Sequence, residues 1–216
     1  MALASSIHAQ SPLVLTVPGL DGSGPAHWQS LWEEHGNGDV RRVEMGEWDK
    51  PNRNLWVNRL NLAIHRATEM ERRPVILVAH SLGCLTVAWW AHYEQPAWAD
   101  PVIGALLVAP PEVDGVARDS RLYPFAPTPL GPLPFPSIVV ASRDDPYAAF
   151  ERTERLAHFW GSRFVDAGEA GHINTEAGLG EWRDGQLLLS SFSRRVQALR
   201  ANPPPAIAPH GLSIEA

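Results

Sequence analysis

Apolar and polar positions along this chain follow two rhythms. Apolar-rich runs fall at 13–17, 74–79, 102–109 and 137–141, and two stretches that mix in charged residues, 40–45 and 163–166, complete the series. Runs this short, rich in Val, Ile and Leu, read as strands buried on both faces. Between them apolar residues return every three or four positions. Trp28, Leu31 and Trp32 follow Pro25, which fits a first helical position. Leu55, Leu60, Ile64 and Ala67 share one face over 54–70, and further helices are predicted from Cys84 through Trp90, over 147–160 and over 183–200. Strand and helix alternating at this pitch predict an α/β fold. We expect a three-layer sandwich, with a mostly parallel six- or seven-stranded sheet and helices on both faces.

Residues 11–200 read as one domain, preceded by a loose polar lead-in at 1–10. A Pro/Ala-rich tail at 201–216 is expected to lack order. The pattern breaks between 110 and 136, where prolines recur among Leu122, Tyr123, Phe125, Leu130, Leu133 and Phe135. Proline forbids a regular helix, so the stretch predicts an extended flap over the ligand edge of the sheet. It either covers core or walls a pocket. As a pocket wall, Tyr123, Phe125 and Leu130 would favour an apolar acyl or aryl group.

Composition narrows the function classes. With 216 residues, 44% of them hydrophobic, the chain can bury a full core. No apolar run is long enough to span a membrane, and a net charge of −6 offers no basic field to nucleic acid or anionic lipid. The single cysteine, Cys84, fits a reducing cytoplasm, and the first ten residues lack the pattern of a secretory signal. No His, Cys and carboxylate cluster has metal-ligand spacing, and no cofactor is expected. The glycines from Gly19 are spaced G-x-x-G-x-G, which is not the dinucleotide fingerprint. They read instead as a loop whose backbone N–H groups face the strand ends, where α/β sheets bind ligands.

The chemistry centres on Ala79-His80-Ser81-Leu82-Gly83. A strand, a tight turn with serine at its apex and a helix form the context of a G-x-S-x-G nucleophile elbow, here with Ala79 for the first glycine. A serine hydroxyl needs a base to take its proton. Histidine suits that role, and a carboxylate must hold its tautomer. Ser81, Asp144-Asp145 and His172 stand in that order at successive strand ends, His172 behind the loop Gly168 to Gly171. Spacing leaves Asp144 and Asp145 both open, while Asp166 belongs to the wrong strand. His27, His65, His92 and His158 fall in predicted helices, where pairing or exposure is expected. His80 reads as structural or pocket-lining, Trp28 as pocket-lining, and Cys84 as a buried, inert thiol.

Four pieces carry a resemblance: Val17-Pro18-Gly19 with Ser23-Gly24-Pro25-Ala26-His27-Trp28, the elbow, Ala141 through Tyr147, and Ala167-Gly168 through Asn174. Over roughly residues 11–198 the chain resembles the small serine-hydrolase family of retinoblastoma-binding protein 9 and its bacterial relatives. The resemblance implies a trimmed α/β-hydrolase without a large cap. It also implies Ser81 as nucleophile, His172 as base and Asp145, directly before proline, as the acid. The pair Asp144-Asp145 departs from the Asn-Asp frequent in bacterial relatives. The implied reaction is acyl transfer from a small ester, thioester or activated amide, with Leu82 N–H and Leu20 N–H holding the oxyanion. The alternative is the same fold acting as a binding or interaction module with a weak or idle serine.

Overall fold

A computed structural model of the chain describes residues 11–201. The lead-in at 1–10 and the tail from 202 lie outside the described residues. Six strands form one sheet: β1 (Leu13–Val17), β2 (Val40–Arg42), β3 (Val75–His80), β4 (Val102–Val108), β5 (Ser137–Ala141) and β6 (Arg163–Asp166). Their spatial order is β2-β1-β3-β4-β5-β6, and every neighbouring pair is parallel. Register runs through the middle of the sheet, pairing Leu15 with Leu77, Leu77 with Ala105 and Leu107 with Val139. β3, β4 and β5 are buried at every residue, which is why they read as continuous apolar runs. β2 and β6 are the edges, and both are partly exposed. β2 also stops at Arg42, short of the expected 45; only the Val43 N–H extends the ladder, to the Thr16 carbonyl.

Five helices cover the two faces: α1 (Trp28–His35), α2 (Arg53–His65), α3 (Leu82–Glu94), α4 (Phe150–Phe159) and α5 (Arg183–Ala201). One core packs α2, α3 and α4 on the sheet through Trp56, Leu60, Leu85 and Trp160. The other packs α1 and α5 through Trp28, Trp32, Phe192 and Val196 against Ile76, Leu106 and Ile138. α3 is buried from Leu82 to Ala91, so it shows no amphipathic stripe. α5 includes Ala201, which the sequence reading gave to the tail.

Two starts move inward from the predicted positions. α1 begins at Trp28 rather than at Pro25 because the His27 side chain caps it, Nδ1 accepting the Gln29 N–H. α4 begins at Phe150 because Asp145, Pro146 and Tyr147 form a turn, with the Tyr147 N–H donating to the Asp145 carboxylate. α2 ends at His65 and continues as a π-helical turn, Arg66–Met70, within the expected 54–70.

The stretch 110–136 is no helical cap. It carries one 3-10 turn, Ser120–Phe125. The sheet order reverses direction between β1 and β3, so the loops after these two strands diverge there. Such a switch point opens a crevice at the C-terminal strand ends.

Candidate active site

Ser81 occupies the turn between β3 and α3 at φ 54°, ψ −126°. A non-glycine residue in that region stores about 1–3 kcal/mol of backbone strain. The surroundings hold it there: Ser81 N–H donates to the Val108 carbonyl, and Cys84 N–H to the Ser81 carbonyl. Gly83 is required by close passage, since a Cβ there would lie 2.1 Å from the Val17 carbonyl oxygen. Ser81 also sits at the N-cap of α3, where a serine side chain ordinarily bonds the helix's own first N–H groups. Here it makes no such bond. Its hydroxyl turns away, leaving the helix N-terminus unclaimed.

The hydroxyl lies 2.8 Å from His172 Nε2. On the other side of the ring, His172 Nδ1 lies 2.9 and 3.0 Å from the two carboxylate oxygens of Asp145. A carboxylate can only accept, so Nδ1 carries the proton and Nε2 is left to accept from Ser81. The His172 side chain is 8% exposed and that of Asp145 4%. A second oxygen bond, from Tyr147 N–H, fixes the carboxylate, and the Tyr147 ring packs 4.2 Å from the His172 ring.

Asp144 does other work. Its Oδ1 accepts from Ser142 Oγ–H at 2.6 Å and from Gly171 N–H at 2.8 Å, tying the loop after β5 to the turn that carries His172. The Ser142 hydroxyl, then the Gly171 N–H, hold this carboxyl below its ordinary pKa. Geometry therefore separates two aspartates that spacing leaves equivalent. Asp166, the other carboxylate weighed, pairs with Arg143.

Two tryptophans brace the same loop. Trp28 Nε1–H donates to the Ile173 carbonyl, and Trp32 Nε1–H to the Glu181 carbonyl. The His80 Nε2–H donates to the His172 carbonyl, so His80 both lines the cavity and anchors the loop. Burial, then the charges of His172 and His27, lower the His80 pKa well below its ordinary value, and the ring stays neutral. Cys84 is fully buried, and burial pushes its thiol pKa far up.

A cavity of about 220 Å³ opens beside Ser81, with Leu20, Asp21, Leu122 and Tyr147 in its wall. Four of the expected pocket residues lie elsewhere. Trp28 stands behind the wall, at 1% exposure. Phe125 is fully buried in the core against Trp56, and Tyr123 points outward, 45% exposed. Leu130 borders two other clefts, away from the serine. In a turn with three residues per revolution, Leu122 and Phe125 share the inner side and Tyr123 cannot. The flap thus reaches the site through Leu122, which the sequence reading passed over.

His27 was also missed. It is neither exposed nor in a helix; it lines the cavity with its ring 4.8 Å from that of His80. Histidine is not among the usual capping residues, so nothing in the pattern around Pro25 flagged it.

The loop after β1 approaches the elbow closely. A Cβ on Gly19 would stand 2.8 Å from Ser81 Cβ and 3.1 Å from Leu82 N. Among the described residues, neither Leu20 N–H nor Leu82 N–H donates to a protein acceptor.

Comparison with known proteins identifies the family. The sequence pattern of the serine hydrolase family matches residues 14–191. The chain belongs to the serine hydrolase family. A YdeN-like hydrolase from Pectobacterium atrosepticum is 34% identical, with a TM-score of 0.75 over 87% of this chain and 93% of its own. The ydeN gene product of B. subtilis is 20% identical and superposes with a TM-score of 0.67, covering 84% of this chain and 98% of its own. Est1E from Butyrivibrio proteoclasticus, solved with ferulic acid bound, is 13% identical with a TM-score of 0.60, covering 88% and 92%. At such low identity these last two speak to the fold. No curated protein matches the chain.

Proposed function

We propose that this serine hydrolase cleaves small carboxylic esters through a Ser81–His172–Asp145 triad and an acyl-enzyme. The observation that carries the reading is the continuous chain of short contacts from Ser81 Oγ through His172 to the Asp145 carboxylate. His172 Nε2 takes the hydroxyl proton as Oγ attacks the ester carbonyl, and the electron pair of C=O moves onto oxygen. The oxyanion lies against Leu82 N–H, at the positive end of α3, and Leu20 N–H. On collapse the C–O bond to the alcohol breaks, and the imidazolium returns its proton to the leaving oxygen. Water, deprotonated by the same nitrogen, then attacks the acyl-enzyme and releases the acid and Ser81. Asp145 stays ionised throughout, holding the Nδ1–H tautomer and stabilising the imidazolium.

An assembled triad favours an enzyme over a binding module with an idle serine. The cavity, below the roughly 300–1,000 Å³ of pockets for drug-sized ligands, favours a small substrate. The buried, lone Cys84 fits work in a reducing cytoplasm. The test is p-nitrophenyl acetate turnover. Ser81→Ala should abolish it, and a variant retaining wild-type turnover would disprove the assignment.

A further inference from the structure

We infer that His27 selects the substrate: its Nε2–H receives an oxygen carried by the ester close to the scissile group, so the cavity takes short, oxygen-bearing esters rather than apolar acyl or aryl chains. This rests on the hydrolysis proposed above and names its substrate class.

The argument begins with the tautomer. His27 Nδ1 accepts the Gln29 N–H at 3.2 Å as the cap of α1, so in the neutral ring the proton sits on Nε2. Burial, aided by the charges of Arg42 and His172, lowers the pKa of this ring to about 4, and it remains neutral at ordinary pH. The residue is 3% exposed, and its Nε2 has no hydrogen-bond partner among the described residues. Buried donors are rarely left unmet, and each one calls for an explanation. One other buried side-chain nitrogen shares this state, Arg53 Nε. It is outside the cavity, on a guanidinium packed over the Trp89 ring. His27 lines the cavity that holds Ser81.

The rest of the wall points the same way. The Asp21 carboxylate is already taken by a two-pronged bond from Arg121. Asn174 Oδ1 accepts the Glu176 N–H, which leaves its NH₂ as the free end. A cavity whose carboxylate is engaged, and in which His27 Nε2–H and the Asn174 NH₂ are free donors, fits a ligand that brings acceptors.

Substitution can separate the two nitrogens. Asn places an oxygen where Nδ1 caps the helix and reaches no further; Gln places an NH₂ near Nε2 but loses the cap. Two ester pairs differ only by an ether oxygen for a methylene: p-nitrophenyl methoxyacetate against butyrate on the acyl side, and 2-methoxyethyl against butyl acetate on the alcohol side. The readout is the kcat/KM ratio within each pair, compared between proteins so that intrinsic ester reactivity cancels. In at least one pair, His27→Asn should lower the ratio about fivefold relative to wild type, the worth of one neutral hydrogen bond, while His27→Gln keeps it. The pair that responds tells which side of the ester carries the oxygen. Ratios unchanged by His27→Asn in both pairs, with turnover still dependent on Ser81, overturn this inference alone. A wild type that cleaves none of the four esters overturns it together with the proposed function.

Discussion

Asp144 and Asp145 are adjacent, equally acidic in sequence and both within reach of the His172 loop, so substituting each tests whether the site works as its geometry implies. In Asp145→Asn, the Tyr147 N–H still requires an acceptor, which keeps the amide oxygen at the Oδ1 position. The NH₂ then faces His172 Nδ1 from about 3 Å, the place now held by Oδ2. Two donors cannot face each other, so the ring adopts the Nε2–H tautomer and cannot take the Ser81 proton. The same substitution in a related triad costs about 10⁴-fold in kcat, or ~5.4 kcal/mol of barrier. Asp144→Asn differs in kind. Both bonds of Asp144, from Ser142 and Gly171, fall on Oδ1, which an amide oxygen replaces without loss. Turnover should stay within about threefold of wild type, given that substitutions sparing such contacts usually cost under ~0.5 kcal/mol. The assay is p-nitrophenyl acetate hydrolysis at pH 7.5, with circular dichroism to show that both variants fold. Equal losses in the two variants would refute the division of labour between these carboxylates.

Four further outcomes follow from single contacts. Gly83→Ala drives a Cβ to within 2.1 Å of the Val17 carbonyl oxygen; it should cost about 3 kcal/mol or more by urea denaturation or prevent folding. Gly19→Ala presses on Ser81 Cβ and Leu82 N, so kcat should fall between ~10- and 1,000-fold as Leu20 N–H is displaced, with a folded circular dichroism spectrum. Phe125→Ala should lose about 3–5 kcal/mol of stability and Tyr123→Ala less than ~0.5, the reverse of what two equivalent pocket residues would show. The pKa of His27, near 4 when folded and 6.5 when unfolded, means the unfolded chain binds more protons between those values. Stability is therefore full above pH 7, drops by up to about 3 kcal/mol as pH falls from 6.5 towards 4, and levels below; His27→Asn should flatten that slope in urea titrations.

The sheet was legible because parallel strands buried on both faces spell continuous apolar runs, as β3, β4 and β5 do. β2 was overread because Val43 and Met45 are apolar and buried, yet past Arg42 only the Val43 N–H still bonds to β1. The residue types of the proposed triad were legible because each stands at a strand end in a fixed chain order. Choosing between Asp144 and Asp145 was not, since that depends on how a turn aims two neighbouring side chains. His27 and Leu122 were hidden for a related reason. A histidine cap carries no sequence signature, and prolines in the flap concealed a 3-10 turn that places Leu122 at the cavity. Trp28, expected at the pocket, lies in the core beside Trp32, and the indole N–H groups of both hold the histidine loop.

Intact-mass labelling with a fluorophosphonate tests the central claim most directly, because the probe reacts only with a serine that has an assembled base and oxyanion site. One adduct on the wild type, absent in Ser81→Ala and strongly slowed in His172→Ala and Asp145→Asn, is the expected result. A wild type that takes no adduct, or an adduct that persists in Ser81→Ala, would contradict the account.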